Sequence, residues 1–442
     1  MSILVTGLNS ALQKRFHTEK IKPGNVHRAN FIEYDIGGKG QNCITTLSHL
    51  TSTSPSRESN KNDYTTAPIH LIQFVGKGEN GNKLLKMLDK KKEGNKNIDF
   101  LTVRSDSETR LSTTIISDDI DDDATEFVDP SGIVTEKDIV SLLNLMKNNN
   151  NNDYNGILFM GSLPTDCPTT IYSSILQLCA DYSNNKRENS KNKIIVIDTV
   201  HGLKLLFQTI RKINNGDNNN INDINISAML KINMAELFRL LEIEGKENET
   251  EKMDDHSVLL LLHKAAQKFY NCYLSNENKN TNNVSLAITD GKHAAHFIQY
   301  NVNNNDYKKK WNIDENANYN IYRIQIPNIK EYNDDTTLLY PIGAGDAVAA
   351  STIAAWHDLE YYDPNNSFLN NNILDIQNYH SLLFNKDIEV YKDEKMLKAF
   401  MFGLACGSAS CLQSKNSSLD NIDVKALFLQ TIKHSDSVIR IA

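Results

Sequence analysis

The chain has 442 residues, 40% of them hydrophobic, which is enough material for a large core in one to three domains. A net charge of -8 and the lack of a basic stripe interleaved with aromatics argue against a nucleic-acid partner. No apolar run approaches the length of a membrane span, and the six cysteines, at 43, 167, 179, 272, 406 and 411, have no zinc or redox spacing and read as reduced thiols of a cytoplasmic chain.

The strand-like run Ile3–Thr6 follows Met1 and Ser2 directly, so no leader peptide is expected in front of it. Polar and apolar residues then mix up to Tyr34, with a Pro23-Gly24 turn, as in a half-exposed sheet. Next, Asp35-Ile36-Gly37-Gly38-Lys39-Gly40-Gln41-Asn42 opens a helix, Cys43 to Leu50. Glycines 37 and 38 let backbone approach a ligand closely, although glycines also serve plain turns. Asn42 can bond hydroxyls, and Lys39 is either a solvated surface charge or a cation reaching an anion on the substrate.

Ile69–Gly76 reads as a buried strand with a helix behind it, a β-α unit of a parallel sheet. Thr109–Ile116 and Thr125–Val128 bracket an acidic turn, Asp118 to Asp123, and predict a hairpin carrying Arg110. Gly156–Met160 is an apolar strand that breaks on Gly161-Ser162-Leu163-Pro164. Ligands in open α/β sheets sit outside the carboxyl ends of strands, so Gly161 and Ser162 are candidates, with an ordinary strand-to-helix turn as the alternative. Lys193–Thr199 is a further central strand, its Asp198 either a site-side acid or a cap. Asn233 and Glu236 stand three apart on one side of a helical turn, where a cap and a surface pair would look the same. A late strand, Val284–Thr289, runs into Asp290-Gly291.

Segments rich in Asn, Ser, Thr and Lys, at about 51–67, 184–192, 214–225, 276–283, 301–320 and 363–390, read as low-complexity inserts in a single domain. The Lys308-Lys309-Lys310 run falls in one of them and reads as solvated.

Pro341-Ile342-Gly343-Ala344-Gly345-Asp346 leads into Ala347–Trp356, which carries no charged residue. This is a tight turn feeding a helix with small residues on every face, hence a buried one. Backbone N–H groups of Gly343, Ala344 and Gly345 at a helix start suit phosphate oxygens. Asp346 is either the N-cap of that helix or a base that takes a proton from an attacking hydroxyl.

The two glycine clusters together resemble the paired signatures of the PfkB/ribokinase family of sugar kinases, and further matches fall in the family's order between them. The resemblance implies an α/β, ribokinase-like fold: a mainly parallel central sheet flanked by helices, with a small β-sheet lid over the sugar site formed from about 14–36 and 109–128. Gly7–Gln13, containing Asn9, resembles the first substrate loop of 1-phosphofructokinases and tagatose-6-phosphate kinases, with Gln13 where those enzymes carry an aspartate. In the same subgroup Arg110 and Lys39 would face the substrate's phosphate, although Arg110 could equally be a salt-bridged strand residue. Gly161-Ser162-Leu163-Pro164 would flank the sugar, and Thr289 and Gly291 the nucleotide. Asn233 and Glu236 match the family's N-x-x-E element, whose hard oxygens suit a hydrated Mg2+; Ile232 stands where the family has proline. The implied activity is transfer from ATP to a hydroxyl of a small sugar, a hexose phosphate by preference, with Mg2+, a possible monovalent cation and a possible homodimer formed through the lid. The alternatives are a kinase of an unphosphorylated sugar or nucleoside, and a non-catalytic nucleotide-binding or interaction protein of the same fold.

Overall fold

A computed structural model describes residues 2–19, 21–22, 24–51, 68–117, 125–149, 153–185, 192–216, 224–243, 254–275, 283–300, 319–332, 339–361, 395–433 and 438–440. The acidic turn Asp118 to Asp123, the Lys308-Lys309-Lys310 run and most of the low-complexity inserts lie outside these residues.

The strands are β1 (Ser2–Thr6), β2 (Ala11–Thr18), β3 (Phe31–Gly37), β4 (Ile69–Gly76), β5 (Ile98–Ser105), β6 (Arg110–Ser117), β7 (Thr125–Val128), β8 (Tyr154–Met160), β9 (Asn192–Asp198), β10 (Asn225–Asn233), β11 (Val284–Thr289), β12 (Ala295–Tyr300), β13 (Tyr319–Ile324) and β14 (Val438–Arg440). The helices longer than one turn are α1 (Lys39–Thr51), α2 (Glu79–Gly94), α3 (Glu136–Asn148), α4 (Ile171–Asn185), α5 (Leu203–Asn214), α6 (Met234–Leu240), α7 (Asp255–Phe269), α8 (Ala344–Glu360), α9 (Lys395–Ser410) and α10 (Asn421–Lys433).

Ten strands form one sheet in the order β14-β13-β12-β11-β10-β9-β8-β1-β4-β5. The run from β11 to β5 is parallel, while β12, β13 and β14 join antiparallel at the far edge. Alternate side chains leave opposite faces of each strand, and both faces are covered. Ile3, Val5, Ile194, Val196 and Met229 belong to a core shared with α1, α8 and α9. Their neighbours Leu4, Ile195, Ile197 and Leu230 belong to the opposite core, under α3 to α7. Strands buried on two faces need near-continuous apolar runs, which is why β4, β8 and β9 read as largely apolar in the sequence, with only His70, Gln73 and Asn155 as buried polar exceptions in β4 and β8.

The small residues of α8 and α9 have a packing consequence. A Cβ on Gly403 would overlap Thr352 Oγ1 and come within 2.7 Å of the Val348 carbonyl oxygen, and one on Gly407 would overlap Val348. The two helices approach too closely for larger side chains, and α8 is held against the sheet with Trp356 buried beneath it.

A second sheet, in the order β3-β2-β6-β7, stands apart from the large one. Its strands come from the two segments expected to form a lid, with β2 parallel to β6 and antiparallel to β3. The chain passes between the sheets through the loop after β1, the glycine cluster before α1 and the turn before β6. Those connections bring the lid beside the carboxyl ends of β1, β8, β9 and β10.

Candidate active site

The helix start of α8 excludes one of the two readings of Asp346, that of an N-cap. Gly343 is the N-cap, at φ 83°, a left-handed conformation that glycine adopts without strain. Asp346 is the third helical residue, and its side chain turns away from its own helix end to accept a hydrogen bond from Asn42 Nδ2 at 2.8 Å. Asp346 is therefore not the cap. It is buried, and loss of water raises its carboxyl to about 6; Lys39, Asn42 and Lys231 oppose that rise, and the negative charge of Asp198 adds to it.

Asn42 reaches this partner because α1 starts hard against the end of β1. A Cβ on Gly40 would overlap Gly7 and crowd the Thr6 carbonyl oxygen at 2.6 Å, so only glycine permits the approach. Gly37 lies against Ala11 and Gln13, and Gly38 against Ser10. Gly37 and Gly38 thus pack on the loop and strand that carry Asn9 and Gln13.

Asp198, at the end of β9, is not a cap either. It is bonded by two lysines, Lys39 Nζ at 2.6 Å and Lys231 Nζ at 2.7 Å. Burial would raise its carboxyl, yet the two cations together hold it down at about 2. Lys39 in turn stays protonated: burial would lower it, but Asp198, Asp346 and Glu236 more than offset that. Lys231 is the residue that the sequence reading missed. Its ammonium lies 3.0 Å from where a Cβ on Gly345 would stand, so a cation sits over the same turn whose backbone N–H groups were expected to hold phosphate. The signal was present, since a buried lysine within the apolar run Met229-Leu230-Lys231-Ile232 needs an ionic partner.

A cavity of about 220 Å³ opens at these groups, lined by Asn9, Arg110, Ser162, Lys39, Lys231 and Glu236. Asp198, Thr199 and His201 line it as well. Asp346 is not part of the wall; it lies next to it, joined through Lys39 and Asn42. Asn9 Nδ2 donates to Ser162 Oγ at 2.9 Å and Ser131 Oγ at 2.8 Å, so two of the expected substrate residues meet. Arg110 donates from Nη2 to the Asn9 carbonyl oxygen at 3.3 Å, while its Nε is buried with no partner. Burial lowers its pKa, and the charge of Glu126 opposes this.

Other expected residues are placed elsewhere. Gln13 is buried in the lid sheet and donates to Thr114 Oγ1 at 2.6 Å. Asn233 caps α6 in a reciprocal pair with Glu236, Asn233 Oδ1 accepting from the Glu236 N–H at 2.7 Å and Glu236 Oε2 from the Asn233 N–H at 3.3 Å. The ordinary capping role is thus real, and Glu236 lines the cavity as well. Thr289 lies beside Asn233 in the sheet. Gly291 occupies a left-handed turn position with open space around it.

Neither a protein-family model nor a curated protein sequence matches the chain. Solved structures do. Phosphofructokinase-2 from Escherichia coli, in its complex with fructose-6-phosphate, superposes over 98% of this chain and 98% of its own, with a TM-score of 0.57 at 16% identity. The chain has the ribokinase fold. Ribokinase from Giardia lamblia matches 97% of this chain and 98% of its own length (TM-score 0.59, 12% identity). A possible 1-phosphofructokinase from Thermotoga maritima matches 100% of both chains (0.58, 16%). Among the described residues, no helix is long and apolar enough to cross a membrane.

Proposed function

We propose that the protein is a kinase that transfers the terminal phosphoryl group of ATP to a hydroxyl of a small sugar, with a hexose phosphate as the favoured acceptor. The observation that carries this reading is Asp346: a buried carboxylate in the first turn of α8, titrating near neutrality, next to a glycine turn overlain by Lys231. The acceptor hydroxyl gives its proton to Asp346 as its oxygen bonds to phosphorus, and the bond from phosphorus to the ADP oxygen breaks. Backbone N–H groups of Gly343, Ala344 and Gly345, with Lys231 beside them, take up charge on the transferring group; one well-placed donor of this kind is worth roughly 3 kcal/mol. Asn42 holds the carboxylate toward the acceptor.

Glu236, whose carboxylate lines the cavity, and Asn233 beside it would hold a hydrated Mg2+ that arrives with the nucleotide, as hard oxygen donors suit that ion. When bound, Mg2+ neutralises phosphate charge. Thr289 and Gly291 belong to the nucleotide side in this reading. An E. coli phosphofructokinase-2 structure contains potassium, and a monovalent cation is part of the proposal here.

Arg110 favours a phosphorylated acceptor over a free sugar. A guanidinium that faces a cavity with a buried, unpartnered Nε has unused capacity for a second oxygen, and arginine's fork suits phosphate. The exposed apolar residues Phe31, Ile32, Phe127 and Val128 of the lid support a homodimer formed through that sheet; sedimentation of Phe31→Asp beside the parent tests this. Six free thiols suit a cytoplasmic, single-domain enzyme. The kinase reading is tested by ADP release from Mg-ATP against a panel of hexose phosphates, free sugars and nucleosides. Hexose phosphates are expected to turn over fastest, and turnover confined to free sugars or nucleosides would refute the acceptor class.

A further inference from the structure

The lid touches the core at Asp35, a residue outside the lining of the cavity. Asp35, on β3, is only 15% exposed and uses its carboxylate three ways. Oδ1 accepts from the Ile36 N–H at 2.8 Å. Oδ2 accepts from Arg15 Nη2 of the neighbouring lid strand at 2.9 Å and from the backbone N–H of Asn416 at 3.3 Å. Asn416 lies in the loop between α9 and α10, so one oxygen joins the lid to the core.

The residue after Asn416 makes the contact consequential. Ser417 is fully buried at φ 52°, a conformation that a serine holds only when its surroundings fix it. Its Oγ donates to the Gly343 carbonyl oxygen at 2.8 Å, and its own carbonyl oxygen accepts from Thr46 Oγ1 at 2.8 Å. Gly343 is the N-cap of α8 and the first residue of the phosphate turn. At the other end, Asp35 is paired directly with Gln13 across the β2–β3 ladder. Two residues therefore separate the lid from the turn: lid Asp35, Asn416-Ser417, then Gly343.

Charge bears on the same junction. Burial lowers the pKa of Lys91 on α2; the carboxylate of Asp35 opposes that fall and Lys415 of the loop adds to it.

We propose that Asp35 is a positioning residue which couples the two substrates: a sugar that orders the lid also orders the Asn416-Ser417 turn behind Gly343, so each substrate raises the affinity for the other. Coupling of this kind is reciprocal. The inference rests on the kinase reading, and the experiment separates the two. Calorimetric titrations of the full chain measure the affinity for Mg2+ with a non-hydrolysable ATP analogue, alone and with saturating fructose 6-phosphate or fructose 1-phosphate. The parent is expected to bind the analogue at least about fivefold tighter with a sugar phosphate present. Asp35→Asn reduces that factor to below about twofold while each single-ligand affinity stays within about twofold.

Two further variants isolate the path. Ser417→Gly keeps the φ 52° backbone at ease and removes only the bond to Gly343; it is expected to lose the coupling as well, with no additional loss in the double variant. This keeps the idea testable if Asp35→Asn folds poorly. Glu33→Gln removes the other carboxylate near Arg15, at 3.6 Å, which makes no bond to the loop, and the coupling is expected to survive. Equal loss in Glu33→Gln, or full coupling in Asp35→Asn, overturns the proposal. Binding of both probes without coupling in the parent overturns the relay alone, whereas binding of neither probe removes the kinase reading and the relay with it.

Discussion

Replacing Asp346 by asparagine is expected to inactivate the protein and to stabilise it. The carboxyl titrates at about 6 in the fold against 3.8 when unperturbed, so the folded chain binds this proton more tightly than the unfolded chain does. The sign comes from linkage: stability from this group is highest at low pH and is lost as pH rises from about 4 through 6. At about 1.4 kcal/mol per pKa unit, the ionised carboxylate destabilises the fold by about 3 kcal/mol at pH 8 and by about half of that at pH 5. Asparagine has nearly the same shape, can still accept from Asn42 and carries no charge. Asp346→Asn should therefore exceed the parent in denaturant stability by up to about 3 kcal/mol at pH 8, with a smaller gain at pH 5. The same variant should lose at least about a hundredfold in turnover. Urea unfolding at the two pH values, beside an ADP-release assay, measures both. A variant that is less stable than the parent at pH 8, or a gain that does not shrink at pH 5, would contradict the account of a carboxylate held against its own burial.

The same geometry has other measurable outcomes. The acid limb of kcat/KM should fall at about pH 6, because Asp346 must be ionised to accept a proton; Lys39→Met, which removes a cation beside it, should move that limb up, and a limb that moves down would refute the assignment. Arg110→Ala should raise KM for a hexose phosphate by about 10- to 100-fold, the worth of one charge-assisted contact, with little change for any free sugar that turns over. Gly403→Ala should cost about 1–3 kcal/mol in urea unfolding, since its methyl group would overlap Thr352 Oγ1 at the α8–α9 contact; a neutral result would mean that these helices are not packed as described.

Much of the fold was legible because its strands are buried on both faces and its glycines punctuate them. β4, β8 and β9 announced themselves as largely apolar runs, and the small residues of α8 announced close helix packing. The strands of the second sheet were legible in their polar-apolar mix and hairpin pattern, but their role as a lid came only from the resemblance; the apolar Phe31, Ile32 and Tyr34 of β3 are exposed, so burial on one face does not mark where that sheet sits. At the site, sequence could offer two roles for Asp346, and only the left-handed cap at Gly343 and the bond from Asn42 remove the capping one. Spacing said nothing of the bridge from Lys39 through Asp198 to Lys231, whose members lie on three different elements; tertiary pairing alone explains how both lysines are accommodated. Gln13 shows the reverse case. It was expected in a substrate loop, yet it lies on strand β2 with its amide engaged by Thr114 within the lid.

The central claim is that Asp346 is the base of a phosphoryl transfer to a sugar hydroxyl. Its most direct test is ADP release from Mg-ATP with fructose 6-phosphate, fructose 1-phosphate and tagatose 6-phosphate, for the parent and Asp346→Asn in parallel. The account predicts turnover of at least one of these by the parent and a loss of at least about a hundredfold in the variant, with its fold intact by urea unfolding. Parent-like turnover by a folded Asp346→Asn would contradict it.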